Sequence, residues 1–281
     1  ITGAVKGMRD NMLKLDMEGE FLIDTCGTGG DGGKTFNIST AVAIIAAAAG
    51  VKVAKHGNRA VSSKSGSADV LEALGIKTDL SPEESIKQLK KYNMSFLFAQ
   101  QYHKAMKKVG KERKELGTRT IFNLIGPLAN PVPIRGQLMG IFDGDLVDKI
   151  GEVLVKLGIE RGLVVHDEDG LDEITTTSST KVCEICNGKT KVYKINPEDF
   201  GIEKVSIEEI SGGTPEENAE IILSILKGQK GPKRDIVALN AGAALFAGKK
   251  VDSINDGFVL TNALIDSGKA YKKYQQLKEL V

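Results

Sequence analysis

Hydrophobic and polar positions along this chain alternate between short apolar runs and longer stretches with helical spacing. The apolar runs lie at 21–23, 51–54, 96–98, 137–142 and 162–165. They are too short for helices and rich in Val, Ile, Leu and Phe, so they read as buried strands. After the first run comes a small-residue tract at 41–49, AVAIIAAAA, with Ser39 and Thr40 where an N-cap belongs and Gly50 as its stop. Ser81-Pro82-Glu83-Glu84 and Thr214-Pro215-Glu216-Glu217 each offer a capping hydroxyl, a proline at the first helical position and an acid three residues after the cap. They predict helices over 82–91 and 215–227. Further helices are expected over 68–74, 103–116 and 146–157 and through most of the chain from 234 onward, with residues 1–20 as the tail of another. Residues 180–195 read as a hairpin closed by Asn187-Gly188, and 123–133 as irregular. There is no internal repeat and no low-complexity linker.

This alternation predicts an α/β fold, a mostly parallel sheet flanked by helices. In such sheets ligands sit at the carboxyl ends of the strands. The 281 residues can bury a large core, and one α/β domain with a smaller lobe is the expected partition. With 38 basic against 37 acidic side chains, bulk electrostatics makes no case for nucleic-acid or membrane partners, so any cationic site must be local. No apolar run reaches the ~20 residues of a bilayer span. Three cysteines do not form a disulfide framework and suit a reducing cytosol, so a cytoplasmic location is expected. The chain begins at Ile1 rather than Met, and an N-terminal piece is expected to be missing.

The chemistry concentrates between Phe21 and Gly75. Five glycines fall within the seven positions 27–33, with Asp31 among them, too many for a simple turn. Glycines let backbone N–H groups approach and grip phosphate oxygens, and Asn37, Ser39 and Thr40 add donors at a helix N-terminus. Lys55 supplies a compact positive charge. Gly27, Gly29 and Gly32 fit a dinucleotide fingerprint, but no acid follows between Gly32 and Ala68 to hold a ribose diol. Gly33-Lys34-Thr35 resembles the end of a Walker loop, yet Thr28 stands at its first glycine. The pattern suits a diphosphate or phosphosugar.

Downstream, the acidic cluster at 166–173 suits a hard divalent cation bridging carboxylates and phosphates. Spacing does not choose between Asp167-Glu168 and Asp172-Glu173, and similar acid pairs elsewhere are ordinary surface. A histidine such as His56 beside a phosphate loop is more often a structural donor than a base. Arg113, among Lys107, Lys108, Lys111 and Lys114, reads by charge pattern as a solvated helix face. Cys183-x-x-Cys186 is half a zinc motif without a second half and reads as structural.

GTGGD (27–31), NIST (37–40), KHGNR (55–59), SGSADVLEALG (65–75), NLIGPLANP (123–131) and the Asp172-Glu173 pair, in this order, resemble the anthranilate phosphoribosyltransferases. The likeness runs from about 21 to 265. It implies a nucleoside phosphorylase/phosphoribosyltransferase-like fold and transfer of the phosphoribosyl group of 5-phosphoribosyl 1-diphosphate (PRPP) to the amine of anthranilate. It places Gly27, Gly30, Asp31 and Thr35 at the diphosphate. Around the phosphoribosyl group it places Asn37, Ile38, Ser39, Thr40, the run Lys55, His56, Gly57, Asn58, Arg59, Ala60, Val61, Ser62 and Ser63, and Ser67. It assigns Mg2+ to Ser39, Asp172 and Glu173, and anthranilate to Gly27, Asn58 and Arg113, with His56, His103 and Pro127 along the access path. No general base is implied. Residues 1–20 would be the remnant of an N-terminal helical domain, joined by 103–133 to form a small truncated lobe beside an α/β domain over 21–281, and the full protein would be a homodimer. A pyrimidine nucleoside phosphorylase, or a non-catalytic nucleic-acid-binding relative, is the alternative on the same fold.

Overall fold

The computed structural model describes residues 1–29, 34–60, 64–104, 106, 115 and 120–279. One sheet holds β1 (Leu22–Gly27), β2 (Lys52–Gly57), β3 (Met94–Phe98), β4 (Gly136–Gly140), β5 (Arg161–Asp167), β6 (Thr180–Cys186) and β7 (Lys189–Ile195). Its order is β3-β2-β1-β4-β5-β6-β7. The first five are parallel neighbours; the β6–β7 hairpin is antiparallel. The mostly parallel sheet read from the sequence is therefore present.

Strand residues are apolar on both faces because both faces are covered. Ile23, Val53, Leu138 and Leu163 belong to one core, with the helices Ile38–Ala48, Pro232–Ala247 and Ile254–Asp266. Their chain neighbours Leu22, Ala54, Met139 and Val164 belong to the other. That second core is covered by the helices Pro82–Tyr92 and Val147–Lys156 and by residues from both 1–20 and 102–134. The N-terminal segment is stitched to that later stretch: Leu13 N–H donates to the Tyr102 carbonyl at 2.9 Å, and Leu15 N–H to the Pro131 carbonyl at 3.0 Å. Among the described residues no helix is long and apolar enough to cross a membrane.

Both capping signatures hold. Ser81 Oγ accepts from Glu84 N–H at 3.2 Å while Glu84 Oε2 accepts from Ser81 N–H at 2.7 Å, and Thr214 and Glu217 repeat the exchange. Asn187 and Gly188 take φ of 51° and 77°, as a type I′ turn requires.

Several boundaries differ from the sequence expectation, for one reason. β1 continues past Ile23 to Gly27, β2 past Ala54 to Gly57, and β5 past Val165 to Asp167. Hydropathy ends a strand at its first polar residue, whereas the backbone ladder continues if those side chains find buried partners. The helix expected from 41 starts at Ile38 with Asn37 at its N-cap. Ser39 and Thr40 lie in its first turn, because the Ser39 hydroxyl is engaged by Lys55 rather than by the helix end. Residues 121–125, partly within the stretch expected to be irregular, form a short helix after Thr120. Most of the cationic stretch at 103–116 lies outside the described residues.

Candidate active site

The strand order turns at β1: β2 and β3 lie on one side and β4 on the other, which opens a crevice at the carboxyl ends of β1 and β4. Gly27 pairs with Gly140 across that point. A Cβ on either would collide with Asp172, so the two glycines admit the loop after β5 into the crevice. Asp172 Oδ2 accepts the Gly29 N–H at 2.8 Å, and Glu173 lies within electrostatic reach of Lys55. The other acidic pair is occupied elsewhere. Asp167 Oδ1 accepts the Leu171 N–H at 2.5 Å, burial pushes its carboxyl up to about 6, and Glu168 pairs with Lys194 at 2.6 Å. Geometry thus brings Asp172 to the glycine loop and its neighbour Glu173 within reach of Lys55, whereas among the described residues no such contact ties Asp167 or Glu168 to either.

Beneath the crevice lies a buried polar floor. Lys55, only 2% exposed, donates from Nζ to the Thr25 carbonyl at 2.6 Å and to Ser39 Oγ at 3.1 Å. Thr25 Oγ1 donates to the Ser39 carbonyl at 3.1 Å. Asp24 Oδ2 accepts from Asn130 Nδ2 at 2.9 Å, and its Oδ1 from the His56 N–H at 3.3 Å. Burial raises the Asp24 carboxyl to about 6, with the Lys55 charge pulling the other way; burial likewise lowers the Lys55 ammonium while Asp24 supports it. Each group offsets part of the other's desolvation. The sequence reading assigned no role to Asp24, Thr25 or Gly140, nor to Asn130, which it quoted only as part of the 123–131 motif. An acid in an otherwise apolar strand, Phe21-Leu22-Ile23-Asp24, was the available signal.

Around this floor, Asn37 Oδ1 accepts from Ser65 Oγ at 2.9 Å and from Asn218 Nδ2 at 3.0 Å, joining three segments. Thr40 Oγ1 is buried with no hydrogen-bond partner among the described residues, while Ile38 is core. Thr35 bridges to Ser211. Gly57 sits under Ser67 and Phe96. Asn58 Oδ1 accepts from Gln100 Nε2 at 3.3 Å, and Ser67 Oγ donates to the Asn58 carbonyl at 3.3 Å. Arg59 is exposed and ion-paired to Asp69 and Glu72, and the Ala60 N–H donates to Asp69. Gly30, Asp31, Val61, Ser62, Ser63 and Arg113 lie outside the described residues. Cys183 is buried over Gly151, with Cys186 half-buried at the strand end.

On the side toward the N-terminal segment, the His56 and His103 rings meet at 5.0 Å between centroids. Both are buried, and both Nε2 atoms lack a partner among the described residues. His103 also lines an apolar cavity of about 330 Å³ with Met8, Met106, Phe122 and Ile125. The Pro127 carbonyl accepts from Gln137 Nε2 at 2.9 Å close by. Burial first, then the neighbouring His103, lowers His56 to about 3, and burial lowers His103 too. A neutral pair beside an apolar cavity suits an aromatic molecule better than an anion alone. The depressed His56 also sets a pH dependence. Its unfolded value is about 6.5, so the folded state binds fewer protons between about 3 and 6.5, and stability is lost as pH falls through that window. Asp24 and Asp167, both raised to about 6, act in the opposite sense between about 4 and 6. His56→Gln is therefore expected to lose on the order of 1–3 kcal/mol less than the parent between pH 7.5 and 4.5. Melting temperatures at the two pH values check this; an equal loss in both proteins would refute it.

The crevice thus gathers the start of the glycine loop, the paired acids and the buried Lys55, an arrangement suited to a phosphorylated substrate. Residues 19–271 match the model of the glycosyl transferase family, a/b domain. The anthranilate phosphoribosyltransferase of Clostridium beijerinckii is 62% identical over 281 residues, covering 100% of this chain and 83% of that protein. The Thermoanaerobacter sp. enzyme of the same name is 58% identical over 279 residues, covering 99% and 82%. The crystal structure of anthranilate phosphoribosyltransferase from Thermus thermophilus superposes with a TM-score of 0.93 at 42% identity, covering 99% of this chain and 83% of that one. The Saccharomyces cerevisiae enzyme in complex with PRPP and Mg gives 0.91 at 28% identity, covering 99% and 78%. The chain belongs to the glycosyl transferase family, and within it to the anthranilate phosphoribosyltransferases.

Proposed function

We propose that the crevice between β1 and β4 is where this chain transfers the phosphoribosyl group of PRPP to the amine of anthranilate, releasing diphosphate, a step of tryptophan biosynthesis. The observation that carries this reading is Asp172, seated on Gly27 and Gly140 and bonded to the Gly29 N–H, which joins an acidic pair to a phosphate-type loop. Gly27, Gly30, Asp31 and Thr35 hold the diphosphate end. Asn37, Ser39, Thr40, Lys55 and the hydroxyls of Ser62, Ser63 and Ser67 hold the phosphoribosyl group. Lys55 meets the donor as a pre-aimed charge, since Thr25 and Ser39 already fix its ammonium.

The donor set fits magnesium: Asp172, Glu173 and the Ser39 hydroxyl are hard oxygens, and three protein ligands leave room for phosphate oxygens. Mg2+ bound there supplies charge neutralisation for the departing diphosphate. The protein's own part is orientation, holding the amine in line with the anomeric carbon and excluding water. Gly27, Asn58 and Arg113 receive anthranilate, with Arg113 pairing its carboxylate, and His56, His103 and Pro127 line the path. No residue is assigned as a base.

Residues 1–20 and the returning stretch at 103–133 are read as one small helical lobe. Support comes from the backbone bonds of Leu13 and Leu15 and from the shared core of Val5, Tyr102 and Ile125. The full protein is read as a cytoplasmic homodimer acting on these two small molecules.

Loss of anthranilate fluorescence on mixing with PRPP and Mg2+ tests the activity; a longer chain that shows none would overturn it. Arg113→Ala is expected to raise the KM for anthranilate by roughly 10²-fold, leaving that for PRPP within about threefold. Equal rises for both substrates would remove the carboxylate clamp.

A further inference from the structure

We infer that Asp69 is a positioning residue for the diphosphate donor, holding together the two ends of the serine loop at 60–66. The inference rests on the reading above that this loop meets the phosphoribosyl group. Asp69 Oδ2 accepts two backbone N–H groups at once, from Ala60 at 2.8 Å and from Gly66 at 2.9 Å. One oxygen thus closes the neck of the loop. The neck is tight: a Cβ on Gly66 would strike the Ala60 nitrogen and the Arg59 carbonyl carbon.

The other oxygen, Oδ1, accepts from Arg59 Nη1 at 3.0 Å. Arg59 is in turn gripped by both oxygens of Glu72, at 2.8 and 2.6 Å, and Glu72 Oε1 accepts from Thr78 Oγ1 at 2.6 Å. The Arg59 guanidinium is therefore turned onto the helix Ser67–Ala73 and serves the clasp. Asp69 stands on that helix, in its first turn. On the entry side, Ala60 follows closely on β2, which carries Lys55. The clasp thus ties the loop's register to the strand bearing the buried cation. A loop that binds an anion loses affinity when its ends are free, because their ordering must then come from the binding energy.

Asp69→Asn tests this in the full chain. The amide has one carbonyl oxygen, which can serve the two loop N–H groups or Arg59 but not both. The KM for PRPP is expected to rise roughly tenfold, with the KM for anthranilate and the melting temperature little changed. Equal changes in both KM values, or none in either, would overturn the clasp. Ser67→Ala, measured alongside, checks the donor reading itself. If Ser67→Ala raises the KM for PRPP and Asp69→Asn does not, the clasp fails alone; if neither does, the donor placement fails with it. Should Asp69→Asn not fold, the parent chain gives the answer. PRPP with Mg2+, in the absence of anthranilate, is expected to slow amide exchange at Ala60 and Gly66, and unchanged exchange would overturn the proposal.

Discussion

Lys55→Met is expected to lower the rate of phosphoribosyl transfer roughly 10²–10³-fold and to cost about 3–5 kcal/mol of stability at neutral pH. The two effects have separable causes. Activity falls because the donor loses a cation that the Thr25 carbonyl and Ser39 hydroxyl hold in place; losing such a preorganised charge costs roughly 10²–10³ in rate. Stability falls because Asp24 is left as a buried carboxylate without its cationic neighbour. Its pKa, already raised to about 6 by burial, then rises further. The folded protein takes up a proton that the unfolded chain does not, so the variant recovers stability as pH falls toward 5. Asp24→Asn combined with Lys55→Met should regain most of the stability and none of the activity. A Lys55→Met protein that melts alike at pH 8 and pH 5, or a double variant that turns over near the parent rate, would contradict this account.

Asp172→Asn with Glu173→Gln is expected to flatten the magnesium dependence of the rate and to lower kcat/KM roughly 10²–10³-fold. The comparison that gives the result meaning is Asp167→Asn with Glu168→Gln. Those acids bond to the Leu171 N–H and to Lys194. That variant should keep its magnesium titration and change chiefly in melting temperature. A reversal, with the 167–168 variant losing the magnesium response, would move the metal to the strand end. A near-full rate in the 172–173 variant would remove the carboxylates from the reaction.

The two pairs illustrate what was legible in the chain. Sequence patterning supplied the strand–helix alternation, both capping boxes and the Asn187-Gly188 turn, because each is set by residues close together in the chain. It left the acidic pairs tied, since the choice depends on Gly27 and Gly140, both distant from Asp172 in sequence. Only the resemblance to a known family favoured 172–173 beforehand. The buried floor was invisible for a related reason. Asp24 and Lys55 look like strand-ending polar residues until the sheet places one beside the other, with Asn130 bonded to both Asp24 and the Ala54 carbonyl. Arg59 shows the converse. Its place in a family motif made it a donor ligand by resemblance, whereas its described ion pairs are to the helix acids Asp69 and Glu72.

The central place of β1 has a consequence for how the chain folds. Its ladder partners are β2, about thirty residues later, and β4, about 110 residues later. Until β4 has left the ribosome, one long edge of β1 has no partner, and the apolar helix Ile38–Ala48 has not yet met Pro232–Ala247. Parallel sheets with such distant pairings close slowly, because loop entropy is lost before the contacts form. The nascent chain therefore carries a hydrophobic, half-paired strand until β4 is made, about 110 residues later, a state open to aggregation and to chaperone capture. The strand that ends in the donor loop is thus made early and gains its second partner only when β4 follows, more than a hundred residues later.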